Sequence, residues 1–336
     1  MKVVVAFLFL TVMAGAAETR TYGLVLHGGA GVILRSDLSP EAEANYRAGL
    51  TEARDAGYAV LERGGSALDA VVAVITRLED NPLFNAGKGA VLNADGICEL
   101  DASIMEGRTL AAGAVAGVRH VKNPILLARA VMEKSEHVML SGEGAEKFAH
   151  QVGLEFVPNE YFQTDLRRRQ LEKAKAREAA APKKTSALED YEARIAKYGT
   201  VGCVALDQAG NLAAGTSTGG MTNKKFGRIG DSPIIGAGTY ASNATCGVSA
   251  TGWGEFFIRI GVARDIAAQM EYKGASVADA AAATIAKVGQ LGGDGGVICL
   301  DRAGHVAMPF NSPGMYRGYR LSSGESTIEI FAKPAR

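Results

Sequence analysis

The sequence predicts an α+β chain, with antiparallel strands closed by hairpins and helices lying outside the sheets. Three observations carry this. Residues 200–207 and 212–217 are apolar strand runs around the turn Gln208-Ala209-Gly210-Asn211. Residues 296–300 and 305–310 repeat the pattern around Asp301-Arg302-Ala303-Gly304. Between and before these hairpins, residues 40–64, 66–78, 255–268 and 276–288 space their apolar side chains at helical intervals. Both halves of the chain hold strands and helices, so a doubly wound parallel sheet fits the hairpins less well. At 336 residues the chain is long enough for roughly two domains or one large layered unit.

Taken in order, residues 1–17 (MKVVVAFLFLTVMAGAA) open with Lys2 and an apolar run over 3–13. Ala14-Gly15-Ala16 then fits a small-residue cleavage site. The run is short for a bilayer span. An export signal over residues 1–16 is the preferred reading, a hydrophobic first strand the alternative. Residues 21–26 form a strand leading into His27-Gly28-Gly29-Ala30-Gly31, where backbones are expected to crowd. The helix over 40–64 buries Ala42, Tyr46, Leu50, Ala53, Tyr58 and Leu61, and Ser66 is a candidate N-cap for the next helix. A loop over 81–89 precedes short strands reaching about Val118, then helices over 124–139 and 142–152.

Glycine is the compositional outlier, 42 residues against about 7% in an ordinary chain. No Gly-X-Y period exists, so collagen is excluded. Yet residues 154–198 contain no glycine, and 16 of the 33 residues over 165–197 are charged. That stretch reads as a solvated, flexible linker, helical or disordered, and not as core. Arginines and lysines are balanced by acids overall, 36 against 36, which leaves no bulk field for nucleic acid or an anionic membrane. Cys98, Cys203, Cys246 and Cys299 show no CxxC spacing, which argues against a zinc site. Export would permit two disulfides, but their place in strand-like runs favours small buried side chains.

Motifs for familiar chemistry fail. GxGxxG, a Walker A loop and HExxH are all missing, and the five histidines show no ligand spacing. The stretch from Gly199 offers another route. If the Gly199–Thr200 bond is cut, Thr200 gains an α-amine with an ordinary pKa of about 7.7–8.0, able to act as a base at neutral pH. A threonine activated by its own amine is an established nucleophile type. Alone, Thr200 reads rather as the first residue of a strand, a common place for threonine.

The segment GTVGCVALDQAGNLAAGTSTGGMTNKKFGRIGDSPIIGAGTYA (199–241) resembles the plant-type L-asparaginase/isoaspartyl peptidase family of N-terminal-nucleophile hydrolases. The resemblance takes in His27-Gly-Gly-Ala-Gly, Leu78-Glu-Asp-Asn-Pro-Leu-Phe-Asn-Ala-Gly-Lys-Gly, Thr251-Gly-Trp-Gly-Glu and Gly292-Gly-Asp-Gly-Gly, in the family's order and spacing. It implies a four-layer αββα sandwich. It also implies self-cleavage between Gly199 and Thr200, giving an α subunit over 17–199 with the linker 154–198 as its tail, and a β subunit over 200–336. Two such protomers are expected to form a dimer.

The same resemblance assigns roles residue by residue. Thr200 is the nucleophile, Thr218 its hydrogen-bond partner, and Asn85 a residue beside it. Thr251 and Gly252 match an oxyanion hole. Arg228 and Asp231 match a fixed cation and anion for the α-carboxylate and α-ammonium of a β-aspartyl substrate, with Gly254 meeting the ammonium. An internal Arg228–Asp231 salt bridge is the alternative for that pair. Carbonyls of Leu78, Glu79, Asn81, Phe84, Ala86 and Lys88 match a loop around a structural sodium ion. No organic cofactor is implied. The one departure is Trp253, the only tryptophan, where a smaller or more polar residue is expected. It would narrow or cover the pocket, or pack in the core.

The activity so implied is hydrolysis of β-aspartyl dipeptides and L-asparagine through a β-aspartyl enzyme, by a periplasmic or secreted protein that does not bind membranes once its signal is removed. A glycosylasparaginase-like amidase is the nearer alternative. An uncleaved, non-catalytic periplasmic amino-acid-binding protein is the more distant one.

Overall fold

The structure is a computed structural model and describes residues 21–31, 33–180 and 199–332. The expected leader over 1–16 and the linker residues 181–198 lie outside the described residues.

The chain opens with β1 (Gly23–Gly31), α1 (Pro40–Glu62) and α2 (Ala67–Glu79), followed by β2 (Leu100–Glu106) and β3 (Ala112–Val118). After α3 (Pro124–Lys134), β4 (Met139–Ser141), α4 (Gly142–Gln151) and α5 (Asp165–Ala180), it resumes with β5 (Val201–Leu206) and β6 (Leu212–Thr218). These strands join β11 (Gly314–Leu321) and β12 (Ser326–Phe331) in one sheet, ordered β12-β11-β1-β5-β6-β2-β3-β4. Its pairings are antiparallel except β3 with β4. The second sheet runs β10 (Val306–Ala307), β9 (Gly295–Asp301), β8 (Cys246–Gly252), β7 (Thr239–Ala241) and is antiparallel throughout. Between β8 and β9 come α6 (Gly254–Ile260), α7 (Val262–Lys273) and α8 (Val277–Gln290).

Side-chain alternation builds the layers. On β1, Leu24 and Leu26 share a core with Leu50 of α1 and Val71 and Val74 of α2. Val25 points the other way and meets Val204, Ile298 and Leu300 between the two sheets. Val248 and Cys299 of the second sheet pack on Ile266 of α7 and on Ala281 and Val288 of α8. The order is helix, sheet, sheet, helix: the expected αββα sandwich. Because β1 is covered on both faces, every one of its residues is buried. Each fully buried Leu or Val there contributes about 1.5–3 kcal/mol.

Both expected hairpins form, β5–β6 and β9–β10. Ser66 caps α2 by accepting from the Asp69 amide at 3.1 Å, and Ser276 caps α8 in the same way. The long helix expected over 255–268 is divided by Gly261, whose φ of 66° ends α6 and starts α7. The helix expected to reach 139 stops at Lys134, and the chain then adds β4 beside β3. All four cysteines are free and buried. Among the described residues no helix is long and apolar enough to cross a membrane.

The expected linker start at 154 is too early. Phe162 is fully buried, and Leu154, Phe156, Val157 and Tyr161 pack against the core of α1 and α2. The charge density that suggested a linker begins only at Asp165, and α5 starts there, still anchored by the buried Leu171. The boundary at 154 followed from the absence of glycine, which says nothing of the apolar residues before Asp165.

Candidate active site

Thr200 sits one residue before β5 and is 6% exposed. Its hydroxyl lies 2.7 Å from the Gly199 carbonyl oxygen and 3.1 Å from Thr218 Oγ1, and it can donate to either. Thr218, the last residue of β6, donates to the same Gly199 oxygen at 3.0 Å and accepts from the Gly220 amide at 2.9 Å. The Asn85 amide donates to Gly199 O at 2.8 Å and to Gly220 O at 2.9 Å, while its oxygen accepts from the Val91 amide. Asn85 is therefore fixed at both ends. Three side-chain donors converge on the carbonyl that precedes Thr200.

The His27-Gly-Gly-Ala-Gly stretch is a bulged strand, where the β1–β11 register shifts between His27 and Gly29. Gly29 has φ 115°, and a Cβ there would lie 3.2 Å from Gly199 Cα. The expected crowding of backbones is thus met here. Histidine spacing in the sequence points to no role for His27. Its Nδ1 lies 3.0 Å from Thr200 O and its Nε2 2.9 Å from Ser249 Oγ. A carbonyl can only accept, so Nδ1 carries the proton and Ser249 donates to Nε2. Burial drives the His27 pKa down to about 3, against a smaller opposing effect of the Thr200 bond, so the ring is neutral. Beyond Ser249 a chain of buried hydroxyls, Thr216, Thr239 and Ser103, runs between the sheets to Ser232 O. Only the place of His27 within its glycine-rich motif hinted at this in the sequence.

The second group lies across β8. Thr251 is fully buried and its hydroxyl accepts from the Ala30 amide at 3.2 Å, which ties it to the β1 bulge. Gly252 has φ 156°, and a Cβ there would meet Asp294 O at 2.4 Å. A Cβ on Gly254 would fall 2.8 Å from Asp231 Oδ1 and 3.0 Å from Arg228 Nη2, so these three residues are immediate neighbours. The Arg228–Asp231 salt bridge weighed on sequence does not form. Arg228 instead makes a two-pronged pair with Glu255, Nε to Oε1 at 2.9 Å and Nη2 to Oε2 at 2.8 Å. Asp231 is 4% exposed, and its Oδ2 has no hydrogen-bond partner among the described residues. Burial raises its pKa to about 7, although the nearby Arg228 charge acts to lower it. Nothing in local sequence spacing singles out Glu255, 27 residues on, as the partner of Arg228. Trp253 is half-buried and meets Phe256 edge-on at 4.9 Å.

The loop after α2 folds back on itself, with the Lys88 amide donating to Glu79 O at 2.6 Å. Carbonyl oxygens crowd its turns: a Cβ on Gly87 would lie 2.4 Å from Glu79 O, and one on Gly89 2.4 Å from Pro82 O and 2.7 Å from Phe84 O. Leu78, Glu79, Phe84 and Ala86 are buried. Among the described residues no group of three or more His, Cys, Asp or Glu could hold a metal ion.

Chemically, the first group combines a hydroxyl with a polarised carbonyl. The second combines a buried cation, a buried carboxyl and a hydroxyl. Comparison with known proteins places the chain. An asparaginase family profile matches residues 20–330. An isoaspartyl peptidase of Salmonella typhimurium is 52% identical over 310 residues, 92% of this chain and 98% of that protein. One from Escherichia coli is 51% identical over 309 residues, 92% and 95%. The isoaspartyl peptidase/L-asparaginase of Rattus norvegicus is 44% identical over 297 residues, 87% and 84%. The chain belongs to the asparaginase family.

Proposed function

We propose that this chain is a self-processing threonine hydrolase that cleaves β-aspartyl peptides and L-asparagine. The observation that carries the reading is the convergence of Asn85 and Thr218 on the Gly199 carbonyl, with the Thr200 hydroxyl 2.7 Å from that oxygen. Attack of Thr200 Oγ on the Gly199 carbon puts negative charge on an oxygen that already has two further donors. The peptide becomes an ester, and water releases Thr200 with a free amine.

In turnover the Thr200 amine takes the hydroxyl proton, and Oγ attacks the side-chain carbonyl of the β-aspartyl group. The leaving amine takes that proton. Water, activated by the same amine, then hydrolyses the β-aspartyl ester. Thr251 and Gly252 are the donors proposed for the tetrahedral oxygen. Arg228 takes the α-carboxylate, while Asp231 and Gly254 meet the α-ammonium. The unpartnered Asp231 oxygen supports that assignment, since an arriving ammonium would satisfy it.

The proposal extends to export directed by residues 1–16, subunits over 17–199 and 200–336, and a dimer of protomers. The crowded carbonyls around Gly87 and Gly89 fit a sodium ion held by Leu78, Glu79, Asn81, Phe84, Ala86 and Lys88. Such an ion would supply fixed positive charge, and the loop's own role is to carry Asn85.

Intact mass measurement of purified protein tests the reading. A fragment beginning at Thr200, turnover of β-Asp-Leu exceeding that of N4-(β-GlcNAc)-asparagine, and loss of both cleavage and turnover in Thr200→Ala are expected. A Thr200→Ala protein that still hydrolyses β-Asp-Leu would remove Thr200 as the nucleophile.

A further inference from the structure

By composition α5 looks like a disposable spacer. Its sequence, DLRRRQLEKAKAREAA, has no apolar face, and Leu171 is its one buried residue. Beyond Leu171 every residue except Ala174 is exposed. A helix of this length is marginal in water by itself. Its position is set by the groups that tie it to the rest of the chain, and these lie towards its two ends.

At the N-terminal end, Thr164 Oγ1 accepts from the Arg167 amide at 3.3 Å and caps the helix. The half-buried Arg167 side chain then reaches the loop that carries Asn85. Its Nε donates to Gly89 O at 2.7 Å, and its Nη1 donates to Gln170 Oε1 at 2.9 Å. The amide of the same Gly89 donates to Phe162 O at 2.8 Å, and Phe162 is fully buried. Residues 162 and 167 therefore hold both polar groups of Gly89, which follows Asn85 by four positions. At the C-terminal end, Glu178 accepts from Asn223 Nδ2 at 3.0 Å and from Lys225 Nζ. Asn223 and Lys225 lead into Arg228 along an exposed loop, where Asn223 and Phe226 hold positive φ angles of 62° and 57°. Such a loop needs an outside contact to keep one shape. One helix thus holds the loop that brings a donor to Gly199 O and the loop that brings the guanidinium to the substrate.

We propose that α5 is a clasp for the active site, in which Arg167 is a positioning residue for Asn85 and Glu178 is a positioning residue for Arg228. This rests on the functional reading above and deepens it: the stretch over 165–180 works with the site and is kept by the active enzyme. Neither residue touches substrate. The two arms act on different steps, because Asn85 serves the Gly199 carbonyl during self-cleavage and Arg228 serves substrate affinity.

The test reads both steps in each variant: the time course of fragment appearance in freshly purified protein, and steady-state kinetics with β-Asp-Leu on the fully cleaved fraction. Arg167→Ala loses a charged hydrogen bond to Gly89 O, so cleavage should slow about 3–30-fold while KM stays within about twofold. Arg167→Lys keeps a cationic donor and should cleave within about threefold of the wild type. Exposed ion pairs are weak, so Glu178→Ala should raise KM only about two- to fivefold, with kcat and cleavage at wild-type values. That KM difference should vanish in about 1 M tetramethylammonium chloride, which screens the pair without supplying sodium. A merely structural defect would move both readouts in both variants. Wild-type cleavage in Arg167→Ala, wild-type KM in Glu178→Ala, or a KM difference that survives the salt overturns the inference. Should Arg167→Ala not fold, Glu178→Ala decides, since its side chain is exposed. Mass measurement adds a separate check: an active mature enzyme whose first subunit ends before Asp165 overturns the inference. If the wild type itself hydrolyses no β-aspartyl substrate, the functional reading fails and takes the inference with it.

Discussion

The Asn85 side-chain amide donates to the Gly199 carbonyl at 2.8 Å across 114 residues of sequence. The same nitrogen holds Gly220 O, and the Asn85 oxygen is held by the Val91 amide. A donor fixed in this way needs no reorganisation when charge develops on Gly199 O. Loss of one such donor is worth about 10²–10³ in rate. Asn85→Ala should slow the appearance of the two fragments by that order. Freshly purified protein followed by gel densitometry at 25 °C would show it, and wild-type cleavage in this variant would rule out the oxyanion role.

Thr218 shares that oxygen and also accepts from the Gly220 amide. Thr218→Val keeps the shape and removes the hydroxyl, leaving the Gly220 amide without that acceptor. The expected result is slower cleavage together with a stability loss of about 1–3 kcal/mol. Urea unfolding and the cleavage time course report the two effects separately. Thr218→Ser should retain both.

His27 gives a pH prediction with a definite sign. Its folded pKa is depressed to about 3, whereas the unfolded chain titrates near 6.5. Between these values the unfolded state binds more protons, so stability is full above pH 6.5 and declines as pH falls towards 3. His27→Gln cannot be protonated. On going from pH 7.5 to pH 5 the wild-type melting temperature should therefore fall further than that of His27→Gln. Parallel melting curves would show that His27 does not carry this dependence.

Gly202 of β5 faces the same pair. A Cβ there would lie 2.0 Å from Ser249 Oγ and 2.4 Å from His27 Nε2. Neither backbone strain nor a flexible neighbour is involved, only lack of space between stacked sheets. Gly202→Ala should separate His27 from Ser249 and destabilise by about 1–3 kcal/mol or more. Calorimetry that finds no loss would mean that the sheets can part here without penalty.

Local features were legible because they are written in neighbouring residues. Hairpin turns at 208–211 and 301–304, helical spacing over 40–64, and the Ser66 cap depend only on side chains within a few positions of one another. The order of motifs likewise identified the family. Periodicity overran at Gly261, since a single left-handed residue breaks a helix without altering its apolar spacing. The glycine gap overran at 154–164, since it ignores the apolar residues ahead of the charged run.

What the sequence by itself determined was both hairpins, most of the helices, the family, and Thr200 as a threonine that cleavage would leave at a new N-terminus. The tertiary structure decided which groups meet. His27 and Ser249 are 222 residues apart, Thr251 and Ala30 are 221 apart, and no local pattern relates either pair. Asp231, three residues from Arg228, is the salt-bridge partner that sequence proximity offers as the alternative to a substrate role. The fold gave Arg228 Glu255 instead, because α6 brings that carboxylate alongside the guanidinium while Asp231 stays buried beside Gly254. Contacts of this kind are fixed by how two sheets and their helices stack, a long-range packing decision that a period of 2 or 3.6 residues does not encode.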